Sequence, residues 1–256
     1  MHTEVLDSYE IKVNRTNYEN FYAECPFCKH SNIFNRRDDL KTFRQISRMQ
    51  VTCQNSECKL EFEIGNDLIN SPSEMLIMDA GRLIDIKSYM LSVIVSVQAV
   101  ENHISQLLLV ELIYKKYKNS NGLNKLNESI DIYTEKTSKY GFKCQANFLI
   151  NYMLLDSKPI TLEDSLKYIS SLPDKQNTCK KDAITNCISI YKDLATDLYN
   201  TEIHKIRNKI AHKQALRPSR NQAEQVLEEA SNIIDLSQNI FSVHSIDINS
   251  YINQNA

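Results

Sequence analysis

Hydrophobic residues along this chain follow two different spacings. Up to about residue 65 they come in short stretches, NIF at 32–34 and LEFEI at 60–64, each of which reads as a strand of a small sheet. Beyond about residue 80 they recur at three- and four-residue steps, the spacing of helices that bury one face. The densest such pattern runs from 81 to about 118 and predicts the central helix of a bundle, its apolar face interrupted by Glu101, Asn102 and His103. Shorter helices are expected over 125–139, 145–155 and 162–171, split by Gly141, Pro159 and Pro173, with Thr161 as a cap for the third. Residues 178–213 lack Pro and Gly and read as one long helix on the stripe Ala183, Ile184, Cys187, Ile190, Tyr191, Leu194 and Leu198. After Pro218, a capping box over 219–222 opens a last helix whose stripe includes Ala223, Val226, Ala230, Ile233 and Phe241. The stretch 66–79, punctuated by Ser71, Pro72 and Ser73, reads as a connection. Residues 1–24 form a leader, with a strand near 9–13. The expected fold is mainly α with a small N-terminal β unit: 1–66, a linker over 67–79, and a helical domain over 80–256 carrying a helical insertion at about 125–175.

Composition narrows this picture. Of 256 residues 42% are hydrophobic, enough for a packed core, and only four Gly and five Pro agree with long helices. A net charge of −2 argues against a wholly electrostatic nucleic-acid binder, so any such contact must be local. The polar, acidic first 24 residues show no apolar stretch of the kind a signal peptide needs, so none is expected there. The apolar run 89–100 contains Ser92, Ser96 and Gln98 and ends at Glu101, which reads as too short and too polar for a bilayer. Seven cysteines, an odd number with four in metal-like pairs, suit a reducing cytoplasm, so a cytoplasmic protein without a membrane partner is expected.

Those four cysteines are Cys25 and Cys28, then, after 24 intervening residues, Cys53 and Cys58. Two close pairs so separated are what a tetrahedral thiolate Zn2+ site needs, and the flanking strands make a zinc ribbon with Phe62 packing over the site. Such a zinc is structural, since four thiolates leave no open position. The bland alternative is four unconnected buried thiols, the expected state of Cys144, Cys179 and Cys187. Between Cys25 and Lys59 seven basic residues face three acidic ones, a local charge of +4. Lys29, Arg36 and Arg37 are therefore candidate substrate-binding residues for a nucleic acid. A solvated basic hairpin that only supports the fold or meets a protein is the competing reading.

The chemistry concentrates in HKIRNKIAHK at 204–213. On a helix Asn208 and His212 are i and i+4, about 40° apart, while Arg207 lies about 140° round from His212 and reaches the same point only through its long side chain. Arginine supplies a planar, permanently charged fork for phosphate, and histidine exchanges a proton near neutral pH. RNA brings its own nucleophile, the 2′-hydroxyl, so its cleavage needs in-line positioning, charge stabilisation and two proton transfers. Arg207 fits the electrostatic role, His212 proton transfer, and Asn208 the orientation of the imidazole or a phosphate oxygen. One His leaves a proton carrier missing, which a two-fold dimer would supply; His204 is the accessory candidate within the chain. A charged, solvated helix end is the bland reading of the same residues.

RNKIAH at 207–212, near a helix end and followed by one last amphipathic helix, resembles the HEPN superfamily, whose hallmark is Arg, four to six residues, then His, often in the form RNxxAH. The resemblance implies an HEPN-like helical bundle that forms a homodimer around one cleft. It implies an endoribonuclease needing no catalytic metal, in toxin–antitoxin or antiviral phage-defence settings, with RNA and an antitoxin or defence protein as partners. It carries Arg207, Asn208 and His212 over as the catalytic set. It also implies an accessory role for Glu101, midway along the first long helix and facing the motif, bonded to Arg207 or His212. The leading rival is a non-catalytic zinc-ribbon nucleic-acid-binding or scaffold protein whose helical half only dimerises. A nucleotide sensor or nucleotide-modifying enzyme using the same Arg and His is the second. Glycine-rich phosphate loops, paired catalytic carboxylates and HExxH are absent, which weakens NTPase, glycosidase and metalloprotease readings.

Overall fold

The computed structural model describes residues 20–36, 38–41, 46, 48–65, 71–117, 122–173, 184–185, 187–211 and 217–243. The chain divides into two compact units, Met1–Ile69 and Asn70–Ala256. It is mainly helical with a small N-terminal β region, as the two hydrophobic spacings require.

The first unit is two antiparallel hairpins. Strand β1 (Asn20–Glu24) pairs with β2 (Ser31–Asn35), and β3 (Arg48–Thr52) with β4 (Glu61–Gly65). Alternation sets the faces: Phe62 and Ile64 of β4 are buried while Glu61 and Glu63 are exposed. Phe21 sits opposite Phe34, and Val51 opposite Phe62, so each hairpin turns a cross-strand pair inward. The Phe34 and Phe62 rings meet at 6.3 Å, joined in one small core by Leu40, Ile46 and Ile64. The strand expected near 9–13 lies outside the described residues.

The second unit is a helical bundle. Helix α1 (Pro72–Asp85) occupies most of the stretch expected to be a linker. Ser71 caps it, its hydroxyl accepting from Glu74 N–H at 3.3 Å, and Pro72 stands in its first turn, where its missing N–H costs nothing. Gly81, read as the start of a helix, lies inside α1; a Cβ there would meet Leu227 at 3.8 Å. The chain then breaks at Lys87, in the left-handed region at φ 62°. Ser88 N–H bonds Leu83 C=O at 2.7 Å and Lys87 N–H bonds Ile84 C=O at 2.9 Å, the paired closure of a Schellman stop. The central helix α2 (Tyr89–Leu112) therefore starts after the break rather than at Gly81.

Helix α2 and the turn after it, Tyr89–Lys116, are long and apolar enough to cross a membrane by length and hydropathy, a correction to the shorter apolar run read from the sequence. Its most apolar window is 61% buried inside this unit, so its own neighbours already take up much of that surface. Helices α3 (Leu123–Thr137), α4 (Phe142–Met153) and α5 (Leu162–Ser171) supply Tyr133, Phe148, Ile150 and Ile169 to the same core as α2. Thr161 caps α5 in a full capping box with Asp164.

The long helix expected over 178–213 is broken. Helix α6 (Ser189–Asn200) ends at Thr201, whose ψ of 134° is extended, and α7 (Ile203–Ala211) starts afresh. Thr201 is buried, its hydroxyl accepting from Ile203 N–H at 3.4 Å. Helix α8 (Arg220–Phe241) opens on the Ser219/Gln222 capping box, and Ala223, Val226, Ala230 and Ile233 are buried as its stripe requires.

Candidate functional site

In the first unit the four expected cysteines converge. The sulfurs of Cys25, Cys28, Cys53 and Cys58 all lie within 4.8 Å of one another, with Cys25–Cys58 at 3.8 Å and Cys28–Cys53 at 3.7 Å. Zinc–sulfur bonds of about 2.3 Å in a tetrahedron demand sulfur–sulfur edges of about 3.8 Å, so the cluster is compatible with a structural zinc ion. Turns aim the thiols: Lys29 N–H bonds Cys25 C=O at 3.0 Å, and Lys59 N–H bonds Asn55 C=O at 3.1 Å. Lys29 and Lys59 both take positive φ to close them. Asn55 thus stands where Cys25 stands in the first turn, which is how the second pair accommodates two extra residues. A backbone hydrogen bond from His30 brings the Cys28 thiol down to about 7.

Two amides missed by sequence reasoning tie the hairpins together beside the cluster. Buried Asn32 donates to Ala23 C=O (3.2 Å) and His30 C=O (3.0 Å) and accepts from Gln54 N–H (2.7 Å). Gln54 in turn donates to Ile33 C=O and accepts from Ile33 N–H. Of the expected nucleic-acid residues, the two that are described differ in exposure. Lys29 is exposed and lies 3.4 Å from Glu24. Arg36 is only 2% exposed, a correction to its reading as a surface contact: it follows β2 directly and is packed into the unit. Arg37 lies outside the described residues.

In the second unit, α2, α4 and α7 meet at Glu101. This carboxylate is 8% exposed, and its Oε1 accepts from Arg207 Nη2 at 2.9 Å and from Phe142 N–H at 2.8 Å. The second bond satisfies one of the orphan amides that open α4. Arg207 also donates from Nη1 to Asn208 Oδ1 at 3.3 Å, and Asn208 is exposed. The guanidinium is thereby steered from two sides, while its side chain keeps 29% exposure toward solvent. His212 lies outside the described residues.

His204, one turn before Arg207, stacks on the Phe142 ring at 5.4 Å and 11°. Burial, then the nearby Lys143 and Lys205, lower its pKa, which keeps the imidazole neutral near pH 7. It borders a cavity of about 250 Å³ walled by Phe142, Lys143 and Asn147 of α4, Tyr199 and Thr201 at the end of α6, and Lys205 of α7. A second cavity of about 480 Å³, lined by Lys87, Tyr89, Met90, Ile210 and Arg217, lies at the other end of α7. Phe142 and Asn147 had no signal in spacing, since Phe142 is 41 residues from the carboxylate it meets.

His103, one of the polar residues that interrupt the apolar face of α2, is fully buried with Nε2 2.6 Å from Ser237 Oγ. Cys144 and Cys187 are half-buried free thiols of the helical unit and not members of the cluster, while Cys179 lies outside the described residues. Compared with family models, with characterised proteins and with solved structures, the chain finds no match in any of the three.

Proposed function

We propose that the helical unit is an HEPN-type endoribonuclease, working as a homodimer without a catalytic metal, and that the ribbon holds one structural zinc ion. The observation that carries the reading is the Glu101–Arg207 pair: a buried carboxylate, 106 residues away in sequence, fixes the arginine of the RNKIAH string beside Asn208. A fixed guanidinium costs little to reorganise when phosphate charge develops against it. In the proposed reaction the RNA 2′-oxygen attacks phosphorus while its proton passes to one His212. The bond to the 5′-oxygen breaks, and that oxygen takes a proton from the His212 of the second copy. The products are a 2′,3′-cyclic phosphate and a 5′-hydroxyl. Arg207 stabilises the phosphorane and Asn208 orients the imidazole or a phosphate oxygen. Such an enzyme fits a toxin–antitoxin or phage-defence role, in the cytoplasm, with a partner that holds it silent.

The rival is a non-catalytic scaffold, favoured by one observation: Glu101 also bonds Phe142 N–H, so the ion pair clamps three helices whatever else it does. Incubating labelled mixed-sequence RNA with the wild type and His212→Ala in EDTA separates the two. The ribonuclease cuts, leaves cyclic phosphate ends, and loses activity at least about a hundredfold in the variant. Equal cutting by both proteins, or none by the wild type freed of partners, overturns it. Glu101→Gln, which keeps an acceptor but removes the charge, should lower turnover about tenfold with the fold retained, as a loosened guanidinium requires.

A further inference from the structure

Beside His204 lies a cavity that the phosphate chemistry alone does not use. We infer that it is a nucleobase pocket: it takes the base of a ribonucleotide, read by the side-chain amide of Asn147, with the attached phosphate toward Lys143. Asn147 is 5% exposed, and the structure gives its amide no hydrogen-bond partner among the described residues. It lines the cavity, so that amide is kept for whatever enters. A carboxamide offers a donor and an acceptor side by side, the complement of a base edge, and the Asn147 amide, not among the buried unpaired atoms, is reached by solvent from the cavity it lines. The walls suit a flat, largely neutral ring: Phe142 and His204 are already stacked, Tyr199 adds an aromatic side chain, and burial keeps His204 uncharged. Charge at the rim is modest. Lys205 is paired with Glu202, which leaves Lys143, among the described residues of the lining, as the cation available for a single phosphate. About 250 Å³ holds one nucleoside and little more.

Position gives the pocket its use. Phe142 contributes its ring to the pocket and its backbone N–H to the carboxylate that holds Arg207. On the ribonuclease reading, on which this point rests, a base seated here belongs to a nucleotide next to the bond that is cut, so the pocket sets sequence preference. The same chemistry would hold a free nucleotide.

Binding tested without cleavage keeps the two readings apart. Short 2′-O-methyl homopolymers of each of the four bases, which cannot supply the nucleophile, are titrated into the full chain, as are the four ribonucleoside monophosphates. The wild type should prefer one base, and Asn147→Ala should lose about tenfold in affinity for it, the worth of one paired base contact. Asn147→Asp keeps the side-chain volume and removes the donor, so its loss of preference counts even where the alanine variant fails to fold. Preference shown by monophosphates and strands alike assigns the pocket to free nucleotides, and preference by strands alone assigns it to RNA. A wild type that treats all four bases equally, or a preference that survives Asn147→Asp, overturns the inference. Base preference in a protein that cuts nothing would overturn the ribonuclease and leave the pocket standing.

Discussion

His103 is buried on all sides, and its protonation follows from its neighbours. Ser237 spends its only hydroxyl hydrogen on Ile234 C=O at 2.8 Å, so at His103 it accepts, and Nε2 must carry the proton. Nδ1 is buried with no hydrogen-bond partner among the described residues, and burial pushes the pKa down to about 4. The unfolded chain takes up a proton at the ordinary value of 6.5, whereas the folded chain does not until about 4. Stability is therefore full above pH 6.5, falls as pH drops, and has lost this contribution by about pH 4, with a slope of at most about 1.4 kcal/mol per pH unit. Urea unfolding across this range should show the slope in the wild type and a shallower one in His103→Leu. That His103 is a packed polar group was legible from its place in an apolar helix face. The Glu101–Arg207 bond followed from a resemblance, not from spacing, because nothing local links residues 106 positions apart. Arg36 shows the opposite failure: one-dimensional charge reads it as surface, yet the side chain is buried.

At the scale of elements, the helices were legible and their ends were not. The stripes of α2 and α8 show in any count of apolar spacing, and the Ser219/Gln222 and Thr161/Asp164 boxes mark their helices outright. The missed ends have two causes: one start was made by residues that mark loops as readily as helix starts, and two stops by residues that are not the usual ones. Ser71 and Pro72 look like a loop but are an N-cap and a first-turn proline. Lys87 fills a left-handed position that glycine usually takes, so no glycine marked the break, and Thr201 ends α6 without Pro or Gly. Lys87 is exposed, so relieving its backbone costs no packing. Lys87→Gly should stabilise the helical unit by about 1 kcal/mol, read as a higher urea midpoint with an unchanged slope. A lower midpoint would mean that the entropy glycine brings to the unfolded chain outweighs the strain removed.

The molecule as a whole has two cores of unequal strength. The ribbon core is a handful of side chains around the cysteine cluster, too small to hold its unit by burial alone, whereas the helical unit has an extensive core centred on α2. If the cluster holds zinc, chelation should strip one ion per chain and abolish hydrogen-exchange protection of the β1 to β4 amides. Amides of α2 and α8 should keep theirs. Simultaneous loss in both would show that the units fold as one.

Within the helical unit, a single oxygen serves two donors. Arg207 and the first amide of α4 both bond Glu101 Oε1, so they compete for the same electron density. A phosphate that drew the guanidinium toward itself would release that density to Phe142, tightening the start of the helix that walls the neighbouring cavity. On the proposed reading, grip on the backbone of the strand and discrimination of its base are then not independent. The carboxylate is a balance arm between them, and a substitution made to sharpen one would be felt in the other.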